Sequence, residues 1–415
     1  MSQQTIDIIA PGDTLPVGGG KINDNFDELY TSPAGATGEL QFVSENGSDA
    51  ADGLTWANAV RTIDQAFTNL PSRGAANAAH KYGTIYMGAG EFETAGDLPL
   101  RADIHIIGMG INNYEGQGGT NLMLADGANA HMFDYGAYDD WAHNVLLQDL
   151  TLDGNSANNT GSYDLLRLYR GGFNCRLRSV FFKDALRYGL YIGGTAVDLY
   201  GHDLSFVDCA GAAIYFSHTS AAPVMAFYGL QIDRCGQYPV YIDSSTSLVS
   251  SGHISFYDIE FEAYNAADHD ACIYFSSAHT GALRTYISVC HCYAYHSVGG
   301  ENAVIYEASN NQAASWYIRN VRGSGYTYAF DSAETGETNL SNAQGHTNVT
   351  DEFQSGDRVV QHGDVAFYTG AGTPESNVAA PPGSIYLNSS GGSDTTLYVK
   401  ESGTGDTGWS ALAGV

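Results

Sequence analysis

Basic residues are scarce in this 415-residue chain: 17 Lys and Arg stand against 46 Asp and Glu, a formal net charge of −29. A surface of that sign repels phosphate backbones and anionic lipid, which argues against nucleic-acid binding. Long apolar runs are missing too. No segment approaches the roughly 18 consecutive apolar residues of a membrane-spanning helix. The opening residues have no basic stretch, and Ile6–Ala10 is too short and too acidic for a signal core, so synthesis in the cytoplasm is expected. P-loop, dinucleotide and serine-hydrolase motifs are absent; Gly108-Met109-Gly110 is not followed by a helical pattern. Cysteine is sparse, with six residues, all between Cys175 and Cys292. Six could form disulfides in a secreted protein, but without an export signal they read as small buried residues. Cys290-His291-Cys292 has the wrong spacing for a structural zinc site, because adjacent strand residues face opposite ways.

What the chain has instead is turn formers and tyrosine: 50 Gly and 28 Tyr, with only 15% charged residues. Its middle, Val145–Phe330, repeats a polar-apolar-polar-apolar pattern every 24 to 31 residues. The pattern reads Asp149-Leu150-Thr151-Leu152, Ser179-Val180-Phe181-Phe182, Asp203-Leu204-Ser205-Phe206, Gly229-Leu230-Gln231-Ile232, Asp258-Ile259-Glu260-Phe261, Val289-Cys290-His291-Cys292 and Asn320-Val321-Arg322. Alternation of period two means half-buried strands, and a fixed return distance means a stacked repeat. The expectation is an all-β solenoid, a parallel β-helix whose coils stack about 4.8 Å apart. Apolar residues at helical spacing from Trp56 to Leu70 predict a helix over 56–70 that caps the open end of the first coil. The Asp- and Asn-rich pieces Asp49–Asp52 and Asp153–Asn159 lack the closing Glu of a calcium loop and read as turns. No metal or cofactor is expected.

Candidate functional residues follow from facing. Leu190-Tyr191-Ile192 and its equivalents place Tyr191, Tyr215, Tyr241, Tyr274 and Tyr306 in one outer file, one per coil. That file suits either a seam between subunits or a strip for sugar rings, unless the phase is wrong and the rings lie inside. Glycoside cleavage needs two carboxyl groups, about 5.5 Å or roughly 6.5–9.5 Å apart. Asp203 and Asp258, two coils apart, should lie about 9.6 Å from each other, and Asp258 and Glu260, on one strand, about 6.8 Å. A solvated acidic face explains the same residues. No cluster of three acids with a basic residue, as a lyase would want, is visible; His202, His253, His291 and His296 read as face or turn residues. Longer loops at one corner, Ala263–Ala271 and Ala294–Ala303, carry Asp268, His269, Asp270, His296 and Glu301, and insertions in a solenoid collect on the binding face.

The ends differ from the middle. Lys21–Tyr30 has a helical stripe at Ile22, Phe26, Leu29 and Tyr30, and 31–38 is a small-residue linker. Gly12–Tyr30, with its Lys-Ile-Asn-Asp-Asn-Phe-Asp-Glu-Leu-Tyr run, resembles the virion-attachment segment of tailed-phage tail fibres and tailspikes. Gly47-Ser48-Asp49 with Asp52-Gly53 resembles the entry to pectate-lyase-like right-handed β-helices. Gly383-Ser384-Ile385-Tyr386-Leu387 with Leu397-Tyr398-Val399-Lys400 resembles the C-terminal segment of phage tail fibres. These resemblances divide the chain into an attachment segment and linker (1–38), a right-handed β-helix body (39–340) and a C-terminal β-rich trimerisation or tip domain (341–415). They imply a homotrimeric virion component of the phage tail that meets tail or baseplate proteins at its N-terminus. They also imply adsorption to host-surface polysaccharide, or cleavage of that polysaccharide by the same trimer.

Overall fold

The computed structural model describes residues 39–72, 81–100, 102–111, 118–134, 143–168, 174–194, 198–218, 224–236, 238–243, 253–262, 271–276, 285–295, 301–307, 314–324, 326–332, 357–362 and 365–413. The residues expected to serve attachment, Ile22, Phe26, Leu29 and Tyr30, and the expected loop-face residues Asp268, His269, Asp270 and His296 lie outside them. The described chain is all-β with few helical residues, and its strands pair mostly in parallel. Coil after coil contributes one strand to a long sheet and one to a shorter, eight-stranded sheet. The long sheet runs from Leu40–Val43 to Ala314–Ser324, and the short one from Phe133–Asp134 to Tyr326–Ser332. This is the β-helix-like solenoid that the repeat predicts.

Leu150, Val180, Leu204, Leu230 and Ile259 pair in register, each with its neighbour, and all are buried. Their file continues to Cys292, not Cys290. The expected register of that coil is therefore two residues off: His291-Cys292-Tyr293-Ala294, not Val289-Cys290-His291-Cys292, matches Asp258-Ile259-Glu260-Phe261. Aromatic rings stack along the interior as well, with Phe182 and Phe206 at 4.6 Å and Phe227 and Phe256 at 5.4 Å. Each such side chain taken from water contributes roughly 1.5–3 kcal/mol, and only stacked neighbours can cover it. Cys175, Cys209, Cys235, Cys272 and Cys292 are buried free thiols in this core.

The expected helix over 56–70 is broken. Trp56–Asn58 forms a short 3-10 turn, and the α-helix spans only Ile63–Asn69. Val60 is drawn out to bridge Val43, its N–H donating to the Phe42 carbonyl. Asp49 then anchors the restart, its carboxylate accepting from the N–H groups of Arg61 and Thr62 at 2.9 Å each. Thr62 caps the helix by accepting from Gln65 N–H. Ile63, Ala66, Phe67 and Leu70 join the solenoid core. Asp49 and Asp52 thus serve as turn and capping groups.

The C-terminal part, Asp357–Ala411, is a separate five-stranded sheet with its own cluster of Tyr368, Val378, Ala380, Tyr386, Tyr398 and Trp409. Lys400 is buried there, its ammonium donating to the carbonyls of Gly405 and Thr407. Among the described residues no helix is long and apolar enough to cross a membrane.

Candidate functional site: two outer faces of the solenoid

A file of left-handed residues divides the long sheet lengthwise. Asp149, Ser179, Asp203, Gly229, Asp258 and His291 have φ between 49° and 67°. The ladder skips each of them while pairing the residues on both sides. A left-handed residue is accepted by Gly at no cost and by Asp or Asn at small cost, whereas β-branched residues resist it. It also resets the alternation. Tyr257 and Asp258 both face outward, while Phe256 and Ile259 on either side are buried. The spacing expected for Asp258 and Glu260 assumed one uninterrupted strand. The kink at Asp258 removes that assumption: Asp258 sits at the corner and Glu260 beyond it, paired with Gln231. Asp203 and Asp258 are two coils apart as expected, with Gly229 between them, and both are exposed. The corner supplies a conformational reason for their being Asp.

A second corner file precedes the same strands. Asp103, Asn144 and Asn174 have φ of 60°, 54° and 64°. Their side chains form a ladder, Asn174 donating to Asn144 at 3.0 Å and Asn144 donating to Asp103 at 2.9 Å.

The tyrosine file is present on the short sheet. Tyr191, Tyr215, Tyr241, Tyr274 and Tyr306 pair in succession, preceded by Arg167 and followed by Asp331. Successive rings stack at 5.6, 5.0, 5.2 and 5.8 Å with interplanar angles of 10–27°. Tyr188 stacks on Tyr215 at 4.3 Å and Tyr238 on Tyr274 at 4.0 Å, thickening the column. Ring faces are therefore covered by other rings, and the column presents edges outward. The Tyr215 hydroxyl is engaged as well. Tyr215 donates to Asp243 at 2.8 Å, and Asp243 also accepts from Ser276 at 3.1 Å. Burial, then the bond to the Asp243 carboxylate, pushes the Tyr215 phenol well above the ordinary tyrosine range, and burial raises Tyr188 and Tyr241 too. At its start the column rests on Arg187, whose guanidinium lies 4.8 Å from the Tyr188 ring and donates to the fully buried Asp164.

The outer face of the long sheet leaves charged groups open beside its aromatic rings. A groove of about 680 Å³ opens there, against the strands Leu146–Asp153, Cys175–Lys183 and Asp198–Val207. One row of its floor runs His105, Leu146, Arg176, Tyr200 along paired strands; the next runs Gln148, Arg178, His202. Arg176, Arg178, Tyr200 and His202 are exposed. The Nε of Arg176 donates to Asn174 at 3.0 Å, which ties the guanidinium to the Asn ladder. His202 stacks on Tyr228 at 5.1 Å and Tyr228 on Tyr257 at 4.9 Å, so an aromatic strip extends from the groove onto later coils. Asp203 lines the groove, 3.7 Å from the His202 ring nitrogen. Asp258 and Glu260 do not line it.

The groove thus gathers one of the expected carboxylates and several residues that facing arguments passed over. Arg176 and Arg178 carried a signal in the sequence: two arginines at alternate positions of a strand, in a chain poor in arginine. No group of three metal-ligating side chains occurs among the described residues.

No family model matches the chain. Over 91 residues it is 33% identical to mannuronan C5-epimerase AlgE2 of Azotobacter vinelandii, a match covering 20% of this chain. The chain spans only 8% of that relative's length. Among solved structures it is similar to ORF18 of Geobacillus virus E2, at 12% identity and a TM-score of 0.38, over 85% of this chain and 67% of that one.

Proposed function

We propose that this chain binds a host-surface polysaccharide along the outer face of its solenoid, as the body of a phage tail spike or fibre. The observation that carries the reading is the groove over Arg176, Arg178, Tyr200 and His202. It is an outer-face site with exposed aromatic and hydrogen-bonding side chains in register along the coils. Sugar chains need such a site: flat apolar surface for ring faces and polar groups for hydroxyls. The stretch shared with an enzyme named for mannuronan supports a polysaccharide as the ligand class. The wording of Gly12–Tyr30 and of the C-terminal segment supports the phage assignment. On this reading the unit is a right-handed β-helical homotrimer, capped by Ile63–Asn69. It docks to tail or baseplate proteins through Ile22, Phe26, Leu29 and Tyr30.

The test is binding of the purified chain to the host's surface polysaccharide, with Tyr200→Ala and His202→Ala as variants. Each should weaken binding about tenfold or more, as for contacts worth over 1 kcal/mol. Unchanged affinity in both variants would place the ligand elsewhere. Solution mass measurement checks the trimer; a monomer would contradict it.

A depolymerase is the second reading, favoured by the presence of Asp203 in the groove. It assigns acid and base roles among Asp203, Asp258 and Glu260. New reducing ends released by the wild type but not by Asp203→Asn or Asp258→Asn would support it. Cleavage persisting in both would remove these residues from the chemistry.

A further inference from the structure

We infer that the groove selects an anionic glycan and that Arg176 and Arg178 read its negative groups. The inference rests on the polysaccharide-binding reading of the same groove and names the ligand class within it.

The argument starts from scarcity. With 46 acidic residues against 17 basic ones, carboxylates far outnumber cations in this chain. The other basic side chains of the neighbouring coils use them. Lys183 meets Asp153 at 2.8 Å, Arg187 meets Asp164, Arg234 meets Asp208 at 2.7 Å, and Arg167 meets Asp134 at 3.7 Å. Arg176 and Arg178 do not: neither has an ion-pair partner among the described residues.

Arg176 and Arg178 stand two residues apart on one strand, so their side chains leave the same face about 7 Å apart. Two guanidinium groups side by side repel each other, and the fold gains nothing from the juxtaposition. An anionic ligand reverses the sign. A guanidinium forms two parallel hydrogen bonds to a carboxylate or phosphate, stronger than bonds between neutral partners. The Asn174 carbonyl holds Arg176 in place before any ligand arrives. Gln148 on the preceding coil and His202 on the following one flank Arg178 in the same row. A strongly negative chain repels anionic polymers at long range. Selectivity for one must therefore come from a local positive site such as this.

Carboxylate sugars and phosphodiester-linked glycans present the same anionic chemistry to the two arginines, and the experiment separates them. The full chain is titrated with polygalacturonate, with a poly(glycerol phosphate) teichoic acid, with neutral dextran, and with the host polysaccharide. The expected result is binding to at least one of the two anionic polymers and none to dextran, weakening as salt is raised. Which anionic polymer binds more tightly identifies the group read. The Arg176→Gln/Arg178→Gln double variant should lose roughly a hundredfold in affinity, for two charge-assisted contacts. The Arg176→Lys/Arg178→Lys variant should recover part of that loss, because charge returns without the planar fork. Both arginines are exposed, and unchanged melting of the variants confirms intact folding. Host-polysaccharide binding that is insensitive to salt and to both variants would overturn the anionic assignment and leave the polysaccharide reading standing. Failure to bind any of the four polymers would overturn both.

Discussion

The tyrosine column and the arginine groove are two outer faces of one solenoid, and both are built by stacking equivalent positions from successive coils. They differ in what is left over. In the column every ring packs on other rings, and the Tyr215 hydroxyl and the Arg187 guanidinium end on carboxylates of the same chain. In the groove, Arg176 and Arg178 have no carboxylate partner among the described residues, and Tyr200 is exposed. Outward position alone does not make a site. A periodic file whose valences are satisfied internally is a structural rib, and a short file whose valences are open is where a ligand has something to gain. Of the two roles expected of the five tyrosines, a seam between subunits or a strip for sugar rings, the proposed groove takes up only the second, on a face that carries fewer aromatic residues.

The largest test of this contrast is at the base of the column. Asp164→Ala removes the buried partner of the part-exposed Arg187 and its charged hydrogen bonds, which should cost about 2–3 kcal/mol. Denaturant unfolding should show that loss, while polysaccharide affinity at the groove stays at the wild-type value. A parallel loss of affinity would mean that the two faces are coupled.

A smaller effect is expected higher in the column. Tyr215→Phe removes the bond to Asp243 and should cost about 1–2 kcal/mol. The same residue fixes a pH dependence. The folded phenol titrates above its unfolded value, because burial and the Asp243 carboxylate both oppose its ionisation. While both states keep the proton, the stabilisation is complete. As pH rises past about 10 the unfolded chain releases the proton and the folded chain does not, so stability falls. Tyr188 and Tyr241 act in the same direction. Unfolding midpoints measured across the alkaline range should decline in the wild type and decline less in Tyr215→Phe.

The solenoid was legible because its inward residues repeat: Leu150, Val180, Leu204, Leu230 and Ile259 announce one file through period and alternation alone. The tyrosine file was legible for the same reason. Three things were not. The helix over 56–70 broke because Val60 pairs with Val43, a long-range bridge that helical spacing cannot reveal. The coil at His291 slipped by two residues because Cys290 and Cys292 fit the apolar pattern equally well, and only the left-handed corner distinguishes them. The groove was missed because its residues lie on the half of each strand before the corner, where the alternation has the opposite phase. Asp149, Ser179, Asp203, Gly229, Asp258 and His291 form the corner, which alternation alone does not distinguish from a polar face.

That corner gives the smallest and sharpest prediction. If Asp203 is Asp because its φ of 53° favours small polar residues or Gly, its replacement by Val should cost about 1–2 kcal/mol, and by Asn or Gly only a few tenths. Asp203→Asn then separates conformation from chemistry, since it keeps the corner and removes the charge. Gly229, the next residue of the file, supplies a second check. A β-carbon added there would lie 2.9 Å from the Asp203 carboxylate and would meet the same left-handed strain. Gly229→Ala should therefore be destabilising in the wild type and less so in an Asp203→Gly background. A double-mutant cycle by thermal unfolding measures the difference, which contact between neighbouring coils places at about 0.5 kcal/mol or more. Strict additivity would mean that the two corner residues do not touch, and that each turn of the solenoid sets its kink alone.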